Sequence, residues 1–93
     1  MKFYGHGSRG GISKTDEETA KVILRPHNRM IYVTADCYDE NEITGGGRDY
    51  YRIETIDKFC MGLQYTVQKH ETLLAAFKDV DQAIHYISLL IGE

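Results

Sequence analysis

The fold can be worked out from residues 61–77, MGLQYTVQKHETLLAAF, because this stretch is typical of two strands joined by a tight turn. Through its first half, polar or small residues alternate with apolar ones: Met61, Leu63, Tyr65 and Val67. This period of two is typical of a half-buried strand. The segment QKHE predicts a turn, and TLLAAF, residues 72–77, returns as the partner strand. The stretch therefore predicts an antiparallel hairpin.

A helix is predicted directly after this hairpin. Asp79 is a suitable N-cap, and Gly92 is a suitable C-terminal stop. Between them, apolar residues recur at steps of three and four along one helical face: Val80, Ala83, Ile84, Ile87 and Ile91. Because a lone sheet needs a cover over one face, we expect this helix to pack on the sheet.

Further strands are predicted upstream. KVILRPHNRMIYVTADCYD, residues 21–39, reads as a hairpin that turns at Pro26, His27 and Asn28. In its second arm one face carries Ile31, Val33, Ala35 and Cys37, and the other carries Tyr32, Thr34, Asp36 and Tyr38. Residues 40–49, which hold three consecutive glycines, predict a loop. YYRIETI, residues 50–56, is strand-like, and a short helix over residues 49–60 is an open alternative.

These elements predict a single α+β domain over residues 15–93. Its architecture is an antiparallel β-meander of four to five strands with the C-terminal helix packed on one face. A short N-terminal helix stays open, because Thr15 and Glu18 resemble a capping box and Pro26 forbids a long continuation. Residues 1–14 are predicted to be a flexible glycine-rich leader, since glycine loses the most backbone entropy on folding.

The predicted leader contains a literal G-x-G-x-x-G at Gly5, Gly7 and Gly10. A dinucleotide site needs a strand before this motif, a helix after it and a second parallel strand. The rest of the chain predicts antiparallel hairpins instead. Gly11 and Ile12 also stand where a phosphate-binding loop carries Lys and Ser or Thr. No nucleotide cofactor is therefore predicted.

Composition narrows the classes of function. The 93 residues carry a formal net charge of −3, which disfavours a strongly basic nucleic-acid-binding domain. The start, MKFYGHGS, lacks the apolar core of a secretory signal, and no run approaches about 18 apolar residues. We therefore expect a cytoplasmic protein in which Cys37 and Cys60 are reduced.

No enzyme chemistry is predicted. A zinc site would have to combine scattered thiols and imidazoles, whereas zinc ligands usually come in close pairs: His27, Cys37, Cys60 and His70. A calcium site would need carboxylates in a calcium-loop spacing that they lack: Asp36, Asp39, Glu40 and Glu42. The pairs Cys60 with His70 and Cys37 with His27 have no nucleophile motif around them. We expect no catalytic, metal or cofactor site.

The tyrosines are more informative. The chain has seven tyrosines and no tryptophan, and tyrosine suits interfaces because it buries a large area and keeps a polar group. Residues 30–47 contain no lysine or arginine but four carboxylates. A partner-binding patch is therefore predicted from the aromatic and charged residues around this segment: Tyr32, Tyr38, Asp39, Glu40, Glu42, Tyr50 and Arg52. Such a patch suits a basic surface of another protein.

Two other classes of partner stay open. Basic residues on one sheet face would favour a small nucleic-acid-binding domain: Arg25, Arg29, Arg48, Arg52, Lys58 and Lys69. The interleaved acidic residues disfavour it, because phosphate contacts dominate such affinities. A homodimer through an exposed strand or the helix is the third interpretation, and no membrane partner is expected.

In size, acidity and predicted build, the chain resembles small phage-encoded inhibitors of bacterial defence, including anti-CRISPR proteins. The resemblance carries over no motif and no residue. It implies a small non-enzymatic protein-binding module, an inhibitor or regulator that occludes a functional surface of its partner.

Overall fold

The computed structural model of the chain describes residues 1–6, 12–25, 28–35, 50–58 and 62–92. The described elements are six strands and two helices, in chain order: β1 Lys2–His6, β2 Ile12–Thr15, α1 Glu17–Ile23, β3 Met30–Thr34, β4 Tyr51–Lys58, β5 Gly62–Lys69, β6 Thr72–Phe77 and α2 Val80–Ile91. The strands form one sheet in the order β2-β1-β3-β4-β5-β6, and every neighbouring pair is antiparallel. The α+β class is confirmed, with six strands rather than four to five.

The C-terminal half matches its prediction. β5 and β6 form the expected hairpin, and they turn at His70, which adopts a left-handed φ of 55°. The Asp79 side chain caps α2 by accepting a hydrogen bond from the Asp81 backbone N–H, and Gly92 ends the helix at a φ of 92°. Residues 51–58 form a strand, so the alternative helix over 49–60 is wrong.

The predicted hairpin over residues 21–39 is wrong in its first arm, which belongs to helix α1. Asp16 caps this helix by accepting a hydrogen bond from the Thr19 backbone N–H at 2.7 Å, and the chain leaves the helix at Leu24. Ala20 and Leu24, four residues apart, are fully buried on its inner side. The short apolar run Val22–Leu24 looks the same in a strand and in a helix, and the cap decides between them. The expected second arm is present as β3.

Two strands lie in the region where the sequence predicts only a leader. β1 lies inside the sheet between β2 and β3, with Phe3 opposite Val33 and Tyr4 opposite Tyr32. β2 continues past residue 14 to Thr15. The sequence does not predict β1 because its own apolar run is short and one of its two pairing partners, β3, is distant in the chain. Residues 7–11 lie outside the described residues, and their flexibility stays a prediction.

Both helices cover the same face of the sheet, called here the helix-covered face. Its centre is fully buried and runs across three strands at Ile31 and Val33 of β3, Ile53 of β4 and Val67 of β5. The helices add Ala20 and Leu24 from α1 and Ala83, Ile84 and Ile87 from α2. The Lys21 ammonium of α1 lies 2.7 Å from the Asp81 carboxylate of α2 and joins the helices above this core.

The predicted alternation in β3 holds only in part. Ile31 and Val33 are buried on the helix-covered face, as expected. Ala35 is exposed beyond the end of β3, and Cys37 lies outside the described residues. On the other face Thr34 is also buried, so that face is packed as well.

Candidate functional site

The face opposite the helices, called here the open face, carries the candidate site. One row of directly paired residues crosses its centre from β1 to β5: Tyr4, Tyr32, Arg52 and Gln68. Lys14 of β2 and Leu73 of β6 continue this row to the two edges. Successive residues of a strand point to opposite faces, so none of these side chains takes part in the core beneath the helices.

An aromatic cluster occupies one end of the row. Tyr4 is fully buried and Ile12 nearly so, and Tyr32 and Tyr50 pack against them. The Tyr32 and Tyr50 rings meet edge to face, with centroids 5.3 Å apart and planes at 82°. The His70 ring lies 6.5 Å from that of Tyr50. The rings thus cover one another on a face where no described helix packs.

A polar network occupies the other end. Arg52 donates from Nη2 to the Gln68 side-chain carbonyl, and the Gln68 amide donates to Glu54 Oε2 at 2.8 Å. The same amide lies 3.2 Å from Thr66 Oγ1, and Thr66 in turn donates to the Glu54 backbone carbonyl. One glutamine therefore connects a guanidinium to a carboxylate.

The charges of this network lie close together. Arg52 Nε is buried and 3.4 Å from Glu54 Oε2, near enough for ionic attraction although the angle does not make a hydrogen bond. Both side chains keep about a quarter of their surface exposed, at 28% each. The open face therefore presents a neutralised pair at its centre, with part of the Arg52 side chain accessible.

The Tyr32 phenol stays protonated well above neutral pH. Burial raises its pKa above the ordinary 10.0, and Tyr50 and Glu54 raise it further, while Arg52 acts in the opposite direction. The hydroxyl group points at Met30 Sδ at 3.4 Å, a weak hydrogen bond. Tyr32 is therefore a neutral aromatic group with a polar tip.

Three of the predicted site residues come together here. Tyr32 lies directly opposite Arg52, and Tyr50 packs against Tyr32. The other four lie outside the described residues, and their part stays a prediction: Tyr38, Asp39, Glu40 and Glu42.

Sequence reasoning missed the remaining members of the site, Tyr4, Glu54, Gln68 and His70. The alternation of Arg52 and Glu54 in YYRIETI could have identified Glu54, because residues two apart share a strand face. Tyr4 and Gln68 come from neighbouring strands, and only the strand register brings them here.

The basic residues proposed for nucleic acid are not on one face. Lys69 lies over the Tyr51 ring, with Nζ 5.3 Å from the centroid, and it pairs with Tyr51 on the helix-covered side. Arg52 lies on the open face, so the two cations point away from each other. Arg25 and Arg29 are exposed between α1 and β3, whereas Arg48 and the side chain of Lys58 lie outside the described residues.

The structure also bears on the glycine motif that begins at Gly5. β1 is followed by the antiparallel strand β2 and not by a helix, so the frame of a dinucleotide site is absent from the described part around Gly5. Gly5 lies under α1, and a Cβ there would approach Ile23 Cδ1 at 3.0 Å.

Within the described ranges no three His, Cys, Asp or Glu side chains converge as metal ligands. His27, Cys37, Cys60 and the four carboxylates at 36–42 lie outside those ranges.

A shallow groove of about 510 Å³ lies between α2 and the end of β6. Its walls are mostly apolar and come from Phe77, Asp81, Gln82, His85, Tyr86 and Leu89. The Phe77 and Tyr86 rings form its floor at a centroid distance of 5.5 Å. The groove is on the helix-covered side, so it is separate from the open-face site.

No protein-family model, curated protein or solved structure matches the chain. Neither described helix has the length and apolar character that a membrane span requires.

Proposed function

We propose that this chain is a small non-enzymatic protein-binding module, an inhibitor or regulator that occludes a functional surface of its partner. The observation that carries the proposal is the partly exposed row Tyr32, Arg52 and Gln68, with Tyr50 beside it, on the face without a described helix. Tyrosine and arginine dominate the residues that contribute most to protein–protein affinity.

The side chains of this face are held in place before any partner arrives. Tyr32 is fixed against Tyr50, and Arg52 is fixed by Gln68 and Glu54. Ordering a free side chain at an interface costs about 0.5–1.5 kcal/mol, so a surface that is already ordered binds with a smaller entropy loss. This favours contact with a preformed protein surface.

The chemistry of the face also favours contact over catalysis. The polar groups at its centre include the guanidinium of Arg52, the carboxylate of Glu54 and the amide of Gln68, and these three are bonded or ion-paired to one another. Satisfied groups of this kind recognise a partner's shape and polarity. The carboxylates that the sequence places between β3 and β4 favour a basic partner surface, and the resemblance to phage-encoded inhibitors favours a regulatory role.

The test is capture of partners from an extract of the native cell, with and without nuclease, read by mass spectrometry. Three baits are compared: the wild type, a Tyr32→Ala/Arg52→Ala variant of the open face, and a Glu18→Ala/Gln82→Ala variant of the helices. We expect one stoichiometric protein that survives nuclease and is retained by the helix variant but not by the open-face variant.

Each other result contradicts part of the proposal. Equal capture by the open-face variant and the wild type would show that this face does not bind the partner. A yield that nuclease abolishes would instead favour the alternative of a nucleic-acid-binding domain, whose binding should also weaken steeply with salt.

A further inference from the structure

The two edges of the sheet differ in how they are protected against pairing. β2 is a four-residue edge that carries the exposed Lys14, and short strands with lysine resist edge-to-edge association. β6, TLLAAF, is a six-residue edge without a charged residue. Leu73 and Leu74 are 61% and 38% exposed on it. Of the two edges, β6 is therefore the one better suited to pair with another strand.

A bulge sets which residues of β6 share a face. Val67 pairs with Ala75 but the next residue, Gln68, pairs with Leu73, so β6 contains one extra residue there. As a result Thr72 and Phe77 both lie on the helix-covered side, opposite Lys69 and Tyr65, while Leu73 and Ala76 both lie on the open side, opposite Gln68 and Thr66. In a regular strand the two members of each of these pairs would lie on opposite faces from each other.

We propose that β6 pairs antiparallel with β6 of a second copy of this chain, around a two-fold axis between Leu74 and Ala75. The pairs are then Thr72 with the partner's Phe77, Leu73 with the partner's Ala76, and Leu74 with the partner's Ala75. The exposed Glu71 and Lys78, which flank the strand at either end, face the partner's Lys78 and Glu71.

Three independent features select this register. Residues opposite each other in a sheet must share a face, and the bulge meets that condition for Thr72 with Phe77 and for Leu73 with Ala76. Each leucine faces an alanine, so large and small side chains interlock. Both ends of the pairing close with opposite charges, and directly opposed charges of unlike sign stabilise a strand pair.

The neighbouring registers lose these features. A shift by one residue sets helix-covered residues opposite open-face residues across the bulge, which the pleat forbids. A shift by two in one direction places Glu71 opposite the partner's Ala76 and carries Lys78 past the partner's β5–β6 turn, so both charges lose their partners. The same shift in the other direction places Leu73 opposite Lys78 and leaves both charges at the ends unmatched.

The same axis also covers the groove beside β6. A two-fold axis perpendicular to the sheet keeps the helices of both copies on one side of the joined sheet. The groove lined by Phe77, His85 and Leu89 lies between α2 and this edge, and Leu89 is 63% exposed there. The second α2 then lies next to it, so helix contacts add to the strand contacts.

The test is sedimentation equilibrium over a concentration series, with four variants of the full chain and circular dichroism to check folding. The variants are Glu71→Lys, Lys78→Glu, the charge-swapped Glu71→Lys/Lys78→Glu, and Lys14→Glu at the other edge as a matched control. We expect the wild type at twice the chain mass of 10.7 kDa. Either single reversal makes both end pairs repulsive and should raise the dimer dissociation constant at least about tenfold.

The swapped variant restores both unlike pairs, so it should return to within about threefold of the wild-type dissociation constant. The Lys14→Glu control should match the wild type. A wild type that stays monomeric at every concentration overturns the proposal. Single reversals that dimerise like the wild type, or a folded swapped variant that stays monomeric, overturn it as well.

Discussion

The Tyr32 and Tyr50 rings meet edge to face across the start of the β3–β4 pairing, with centroids 5.3 Å apart. Tyr32 belongs to β3, and Tyr50 is the residue directly before β4. The contact therefore joins β3 to the residue that leads into β4 on the open face. It also brings together two residues that the sequence assigns to one binding patch.

The aromatic contact should appear as a coupling free energy. Edge-to-face pairs contribute about 0.5–1.5 kcal/mol beyond area burial. In a double-mutant cycle with Tyr32→Leu and Tyr50→Leu, we expect a coupling in this range from urea unfolding. As a control, Tyr32→Leu combined with Tyr86→Leu on α2 should be additive. Additivity within about 0.3 kcal/mol for Tyr32 with Tyr50 would show that the rings do not stabilise each other.

Removal of Glu54 should destabilise the protein more than its partial exposure suggests. The Glu54→Ala variant leaves the buried Arg52 Nε without its ionic partner and removes an acceptor of Gln68. We expect a loss of about 1–2 kcal/mol in the free energy of unfolding. Adding Arg52→Ala to Glu54→Ala should lower the free energy of unfolding only a little further, because the guanidinium left without its ionic partner is then removed. A double variant equal to the sum of the two single losses would contradict this coupling.

Gly5 should be required for packing under α1 and not for binding phosphate. A Cβ at this position would lie 3.0 Å from Ile23 Cδ1 and 3.8 Å from Ile31 Cγ2. We expect Gly5→Val to destabilise the fold by about 2 kcal/mol. The Ile23→Val background removes the Cδ1 atom, so Gly5→Val should cost less there. Equal costs in both backgrounds would show that this contact does not set the requirement.

The cap of α1 should make stability depend on pH in the acid range. Hydrogen bonds from Thr19 to the Asp16 carboxylate lower the pKa of Asp16 below its ordinary 3.8. A lowered pKa in the folded state means that the carboxylate's contribution is complete above the unfolded pKa and is lost as the pH falls through the folded pKa.

The Asp16→Asn variant can still cap the helix but does not titrate. We therefore expect its melting temperature to fall less than that of the wild type between about pH 4 and pH 2. Asp57→Asn, at an exposed position near the end of β4, is the control and should follow the wild type. Parallel curves for the wild type and Asp16→Asn would rule out this source of acid sensitivity.

The fold is predictable from sequence where local signals are complete. β5 shows a full alternation from Leu63 to Val67, and α2 has both a cap at Asp79 and a stop at Gly92. α1 is harder, because Val22, Ile23 and Leu24 favour a strand by composition, and the decisive signal is a single cap at Asp16. β1 has almost no local signal, since Phe3 and Tyr4 gain their burial from β3, which is distant in the chain.

The candidate site, like the fold, is predictable from sequence only where a local pattern determines it. Alternation in β3 predicts that Tyr32 lies on the face opposite Ile31 and Val33, and the structure confirms this. That Tyr4, Tyr32, Arg52 and Gln68 form one row depends on three strand registers. A one-residue slip in any of them would break the row, and no local pattern fixes them.

Binding of a protein to the open face can be measured by calorimetric titration of the captured partner. The wild type is compared with Tyr32→Ala/Arg52→Ala and with the helix variant Glu18→Ala/Gln82→Ala. We predict that the open-face variant loses at least about 2 kcal/mol of binding free energy, roughly a thirtyfold rise in Kd, while the helix variant binds like the wild type. Equal affinity of all three proteins would contradict this prediction.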